Sequence, residues 1–154
     1  MAVETVDVGP RRVCRRAVIA APSTELFEIV AHPRQHQELD GSGTVGTEIS
    51  GADRLSEGAR FSMHMKQHGF PYRITSKVTE FDEGRVVEWQ HPMGHRWRWE
   101  FASQGDDSTV VTETFDYSRL GAAKAWFLQA SRVPKSNSAG IEATLSGLQE
   151  RYAD

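Results

Sequence analysis

Six histidines fall in three pairs four residues apart: His32/His36, His64/His68 and His91/His95. On a helix that spacing puts two imidazoles on one face, where they can share a zinc ion. Further ligands are the difficulty. No His-Glu-x-x-His run occurs, the chain has one cysteine, and His64 falls on the polar side of its segment. No metal site is expected; solvated or hydrogen-bonded histidines are. His91 and His95 have another use. They flank Pro92-Met-Gly94 at a hairpin turn, on the face that also carries Trp89 and Trp97. An imidazole titrates near neutrality, so either could hold a ligand carbonyl or move a proton. Either could equally brace the turn.

Strand parity sends two carboxylates, Glu80 and Glu113, to that same face. A buried carboxyl with a raised pKa can act as a general base in enol or aldol chemistry. Pairing with an arginine is the plainer outcome. His91, His95 and Glu113 are the catalytic candidates, but no nucleophile stands beside a base. Tyr72, Ser76 and Tyr117 offer hydroxyls that could orient the polar end of a ligand.

These residues lie in a run of hairpin signals between residues 58 and 117, with strands expected near 58–67, 71–82, 85–91, 95–103 and 108–117. Alternation places Phe61, Met63, Met65, Tyr72, Ile74, Val78, Trp89, Trp97 and Trp99 on one face. So many wide side chains on one side suit a curved sheet around a hollow. Pairing His91 with His95 opposes Trp89 to Trp97 and Val87 to Trp99. A two-residue turn at Glu83-Gly84 opposes Val78 to Trp89 and Ser76 to His91. A four-residue loop from His68 to Pro71 opposes Ile74 to Met65 and Val78 to Phe61. All three turns select one face, and a one-residue slip would expose the whole set. In the last hairpin a five-residue loop turns Val111, Glu113, Phe115 and Tyr117 inward, and a four-residue loop turns Thr112 and Thr114 inward. The longer loop is preferred because it buries Phe115 and Tyr117.

Before the hairpins, residues 13–20 read as a strand and Pro22-Ser-Thr-Glu25 as a helix start, with a hydroxyl cap and an acid in the first turn. A second helical turn starts at Pro33, Asp40-Gly-Ser-Gly43 breaks it, and a strand follows near 45–50. Residues 118–135 read as a loop of mixed helical character. A final helix, capped around Ser136 to Ser138, stripes Ile141, Leu145, Leu148 and Tyr152 at spacings of 4, 3 and 4.

At 154 residues the chain is expected to form one domain over 11–154 behind a flexible tail at 1–10. Net charge is −3 with neutral histidines, and no apolar run approaches the roughly 18 residues of a membrane span. The first ten residues include Glu4 and Asp7 and lack the apolar centre of a secretory signal. A lone Cys14 excludes an internal disulfide and suits a cytoplasmic location. Arg11-Arg12, Arg15-Arg16, Arg96 and Arg98 are basic, yet a mildly acidic chain without a reading motif does not suggest nucleic-acid binding.

Strand, two short helices, six antiparallel strands and a long C-terminal helix: this order resembles the helix-grip fold of the START-like superfamily, also called SRPBCC. The resemblance is carried by Pro22-Ser-Thr-Glu-Leu-Phe27, Tyr72-Arg-Ile74 leading to Val78-Thr-Glu-Phe81, Val87-Glu-Trp89, Trp97-Arg-Trp-Glu-Phe101 and Thr109-Val-Val-Thr-Glu-Thr-Phe-Asp116. It covers roughly residues 12–152 and is nearest to actinobacterial-type proteins labelled polyketide cyclase/dehydrase, which share the Asp40-Gly-Ser-Gly-Thr-Val45 segment. The resemblance implies an α+β chain whose curved sheet of about seven strands wraps a long C-terminal helix, with two short helices between strands 1 and 2. It also implies a cavity between sheet and helix. Such a cavity would be lined by Phe61, Met63, Met65, Tyr72, Ile74, Ser76, Trp89, Trp97, Trp99, Phe115, Tyr117, Ile141 and Leu145. Burying about 300 Å² of apolar ligand surface there is worth roughly 7 kcal/mol before association entropy is subtracted.

The superfamily includes lipid and hormone binders, quinone chaperones, aromatase/cyclases and oxygenase domains, so fold does not fix function. The reading is a binder of a hydrophobic or aromatic small molecule, lipid- or polyketide-like, needing no cofactor and acting as monomer or homodimer. An aromatase/cyclase using general acid/base chemistry and a protein-interaction module are the alternatives.

Overall fold

The computed structural model describes residues 2–36, 45–67 and 69–153, with only the backbone of 45–49 and 65–67. The elements run β1 (Glu4–Val6), β2 (Arg12–Ile19), α1 (Ser23–Ala31), a 3-10 turn (Pro33–Gln35), β3 (Val45–Gly51), β4 (Arg60–Gln67) and β5 (Phe70–Asp82). They continue with β6 (Val86–Gln90), β7 (Arg96–Ser103), β8 (Thr109–Asp116), α2 (Ala122–Ala130) and α3 (Val133–Arg151). One antiparallel sheet has the order β1-β2-β8-β7-β6-β5-β4-β3. The helix-grip arrangement expected from the sequence is present, with eight strands among the described residues where about seven were expected.

The extra strand comes from the segment read as a tail. The Asp7 carboxylate accepts the Gly9 N–H at 3.0 Å, Gly9 takes φ +103, and Glu4–Val6 return to pair with Cys14–Arg16. Two helical expectations change as well. Residues 122–130 form a regular helix rather than a loop. The last helix begins at Val133, ahead of the expected serine cap, because Pro134 sits in its first turn, where a missing N–H costs no hydrogen bond. Arg132, at φ +59, makes the corner between α2 and α3. At α1, no side-chain cap forms; Pro22 occupies the cap position and Glu25 supplies first-turn negative charge.

The hairpin registers decide which residues share a face. Trp89 opposes Trp97 and Val87 opposes Trp99, as the turn at Pro92-Met-Gly94 requires. Ser103 pairs with Thr109, so the loop at 104–108 has five residues and Val111, Glu113 and Phe115 join Trp99 and Trp97 on the inner face. Between β4 and β5 the turn is shorter than expected. Gln67 pairs with Phe70, and Phe61, Met63 and Met65 oppose Ser76, Ile74 and Tyr72. The slip from the expected pairing is an even number of residues, so the face is unchanged.

Between β5 and β6 two deviations cancel. Asp82 pairs with Val86, making the turn one residue longer than a Glu83-Gly84 turn, and a bulge at Thr79 then takes up one residue of β5. Val78 therefore still opposes Trp89, but the residues between bulge and turn are inverted. Glu80 points to the outer face, contrary to the parity reading, and Phe81 turns inward to meet Phe27 edge-on at 5.4 Å.

The core lies between the inner face and the helices. Helix α3 packs chiefly on β2 and β8, and α1 packs on β7. Leu26, Phe27, Ile29 and Val30 supply the buried side of α1; Ile141, Thr144, Leu145 and Leu148 supply that of α3. Phe27 also meets Phe101 edge-on at 5.6 Å. Each such aromatic contact adds about 1 kcal/mol beyond the area buried.

Candidate functional site

The inner face is apolar across its width but not evenly covered. Phe61, Ser76, Val78, Trp89, Trp99, Phe115, Tyr117, Ile141 and Leu145 are buried. Met63, Ile74 and Trp97 are only half-buried, and Tyr72 is 38% exposed. The difference follows from the helices. Among the described residues no helix packs extensively on β4 or β5, so the inner face opens toward the β4–β5 hairpin. Of the expected lining, the residues beneath α3 are core, while Met63, Tyr72, Ile74 and Trp97 keep accessible surface. The Met65 side chain and all of His68 lie outside the described residues.

At the buried end of this face His36 stacks on Trp89 at 5.1 Å and meets Phe61 edge-on at 5.8 Å. Its Nε2–H donates to the Val30 carbonyl at 2.7 Å. Burial, only partly offset by that bond, drops its pKa to about 4, so the ring is neutral near pH 7. His32, its i, i+4 neighbour, instead bonds the Glu28 carbonyl at 2.6 Å, and the two rings share nothing. The spacing identified a helix end and a core aromatic substitute. His64 pairs across to Arg73 on the outer side of β4.

His91 and His95 stack at 4.2 Å with 20° between their planes. The Met93 N–H donates to Nδ1 of His91 at 3.0 Å, so the neutral ring carries its proton on Nε2. The same turn is closed by the His91 N–H to the His95 carbonyl and the Gly94 N–H to the His91 carbonyl, each 2.9 Å. His91 is thus a brace of the turn. His95 is 8% exposed, meets Phe115 edge-on at 5.1 Å, and its Nδ1 has no hydrogen-bond partner among the described residues. Burial, and secondarily the charge of a protonated His91, holds its pKa at about 3. Burial also lowers that of His91. His95 is thus a weak base, and the lone pair of the neutral His91 ring is already engaged by the Met93 N–H.

Glu113 is 7% exposed and sits in register between Trp99 on β7 and Arg15 on β2, under α3. Arg15 reaches past it to the helix: its Nε donates to Glu142 at 3.0 Å and its Nη2 to the Ser138 hydroxyl. The Tyr117 hydroxyl accepts from the Gln129 side chain at 3.3 Å, tying the end of the inner face to α2.

The outer face is ionic. Arg98 bonds Glu80 at 2.9 Å, Glu88 at 3.2 Å and Glu100 at 3.1 Å, while Arg96 bonds Glu88 at 3.0 Å. Burial opposes the ionisation of Glu88, but hydrogen bonds from Thr79, Arg96 and Arg98 together outweigh it and lower its pKa. Glu80 belongs to this network, so its candidacy as an internal base falls. Arg12 and Arg16 pair locally with Asp116 and Glu4.

Two surface clefts flank the sheet. One, about 340 Å³, lies between the β6–β7 turn and the start of α2, against Met93, Arg96, Arg119, Leu120 and Lys124. The other, about 380 Å³, lies where Arg12 and Val13 of β2 meet Pro134 and Lys135 of α3. Mixed helical character was read over 118–135, but not the regular helix α2; the spacing of Ala122, Trp126 and Ala130, four residues apart, was the available signal.

A family model described as polyketide cyclase / dehydrase and lipid transport matches residues 10–153. The chain is 54% identical to an uncharacterized protein of Mycobacterium tuberculosis over 99% of its own length and 69% of that protein's. Its fold is similar to that of the Zhui aromatase/cyclase from a Streptomyces species, with TM-score 0.63, 16% identity, and 92% of this chain and 94% of that one covered. It is also similar to a major latex-like protein from Panax ginseng, with TM-score 0.68, 10% identity, and 93% and 97% covered. At these identities the two structures speak to fold alone.

Proposed function

Because the chain belongs to the polyketide cyclase / dehydrase and lipid transport family, we propose that it binds a hydrophobic or aromatic small molecule, lipid- or polyketide-like, on the inner face of its sheet. The observation that carries this reading is the incompletely covered apolar wall of Met63, Ile74 and Tyr72 on the β4–β5 hairpin, with Trp97 half-buried farther along the same inner face. Apolar area left open beside a closed aromatic floor gains free energy from a guest that removes it from water. The buried Trp89, Trp99 and Phe115 form the floor; Ile141 and Leu145 would touch a guest only if α3 moved from the sheet. In this reading Tyr72, on the open wall, would orient a polar end, Ser76 being buried farther along the same strand, and no metal or cofactor enters.

Native mass spectrometry of gently purified protein, followed by titration of fatty acids and aromatic polyketides against tryptophan emission, tests it. A retained mass or a saturable titration that weakens at least about tenfold in Ile74→Glu is expected, since a charge on that wall must be desolvated. Saturable binding untouched by Ile74→Glu and Trp97→Ala would place the ligand elsewhere. Against the aromatase/cyclase alternative stands the state of the histidines: His95 is held at about 3 and His91 is committed to the Met93 N–H.

A further inference from the structure

Helix α2 turns its apolar side away from the protein. Ala125 and Leu128 are buried beneath it, whereas Trp126 is 68% exposed and Phe127 56% exposed. At 100° per residue, Ala122, Ala123 and Ala130 fall on the same outward side as these two aromatics, and all three are exposed. The outward side therefore has no polar residue at its centre. Lys124 flanks it.

The segment that carries this face has charge of one sign. From Asp116 to Glu142 the chain has four cations, Arg119, Lys124, Arg132 and Lys135, and no carboxylate between. All four are exposed. Arg119 and Lys124 also line the cleft at the start of α2; Arg96 lines it too, with its charge paired to Glu88 at 3.0 Å.

We propose that α2 docks this protein on an anionic lipid surface, lying in the plane of the interface. An exposed tryptophan prefers the headgroup boundary, where its ring is wet on one edge and apolar on the other. Phe127 enters the acyl region beside it, and the cations lie level with lipid phosphates. Nine residues rise only about 13 Å, far short of a bilayer's hydrocarbon thickness, so the helix rests on the surface rather than crossing it. A second copy of the chain is a poorer occupant of the same face, because a twofold contact would set Lys124 and the flanking Arg119 and Arg132 against their equals. The proposal is independent of the ligand reading: docking is measured on vesicles by a face that the proposed ligand wall does not use.

Flotation of the whole protein with vesicles of phosphatidylcholine alone, and with phosphatidylglycerol added, decides it. Binding is expected only to the anionic vesicles, to weaken as salt is raised, and to shift the emission of Trp126 to the blue. Trp126→Ser with Phe127→Ser, and separately Lys124→Glu with Arg132→Glu, should each weaken it at least about tenfold. All are surface substitutions, and circular dichroism checks that the fold persists. Absence of binding to anionic vesicles overturns the proposal, as does binding equal in the serine double variant. A dimer in sedimentation equilibrium that the serine pair dissolves would assign the face to a second copy instead. Retained ligand titration with lost flotation would leave the inner-face reading standing, and the reverse would leave docking standing.

Discussion

His36 shows how a residue read as a metal candidate becomes a structural one. Its ring packs between Trp89 and Phe61, and among the described residues its hydrogen bond to the Val30 carbonyl uses one ring N–H, which leaves a second proton without a partner there. With the folded pKa at about 4 and the unfolded value near 6.5, the unfolded chain binds the extra proton first as pH falls. The stability is present above about pH 6.5 and lost progressively toward pH 4. Urea unfolding of wild type and His36→Phe should differ in slope by about 2 kcal/mol between pH 7 and pH 5, with the variant flatter. Equal slopes would mean that the ring protonates in place. Single residues were the least legible part of the sequence. Spacing of four could not distinguish His36, buried on an aromatic floor, from His32, bonded at a helix end. Strand parity placed Glu113 correctly and Glu80 wrongly, because one unseen bulge lay between Glu80 and the residues used to count.

At the scale of elements the strands were legible, and of the hairpin joints only the β6–β7 turn and the β7–β8 loop were. Alternation in β6, β7 and β8 left one choice of face, and bulky residues enforced it. Turns carry no such redundancy, so the β4–β5 loop and the β5–β6 turn both differ in length from the expectation. Helix α2 was only half legible, as mixed helical character, for a different reason: two of its large apolar residues face outward, and a pattern sought as a core stripe does not register there. One joint has a measurable consequence. Gly51, at φ +108, ends β3 opposite Phe61, and a Cβ there would lie 2.5 Å from the Arg60 carbonyl oxygen. Gly84, at φ +78, has open space around the same position. Gly51→Ala should cost about 3 kcal/mol, strain plus clash, and Gly84→Ala about 1 kcal/mol, strain alone. The midpoint of denaturant unfolding measures both. Similar losses would mean that β3 yields without disturbing Phe61.

For the molecule as a whole, the resemblance carried more than any single residue did. The order of elements indicated the helix-grip fold before any contact was known, since a short list of layer arrangements accommodates a long amphipathic helix and six hairpin-linked strands. Which part of the inner face stays open was not legible, because coverage depends on where helices lie and not on which residues alternate. The pairing of β2 with β8 has a further consequence, in time rather than space. Arg12 and Asp116 are 104 residues apart, and Cys14 and Thr114 are 100 apart, whereas β5 to β8 join through short turns. Closing so long a loop is entropically costly before its contacts repay it, so the meander should collapse first and β2 should be added late. Destabilising substitutions such as Ala17→Gly in β2 should then speed unfolding while leaving the refolding rate nearly unchanged. Val87→Ala in β6 should slow refolding. Stopped-flow chevrons of the two variants separate these cases. The β1–β2 pair that completes the sheet at one side would be the first part to leave it, which makes the β2–β8 seam the point at which this fold opens.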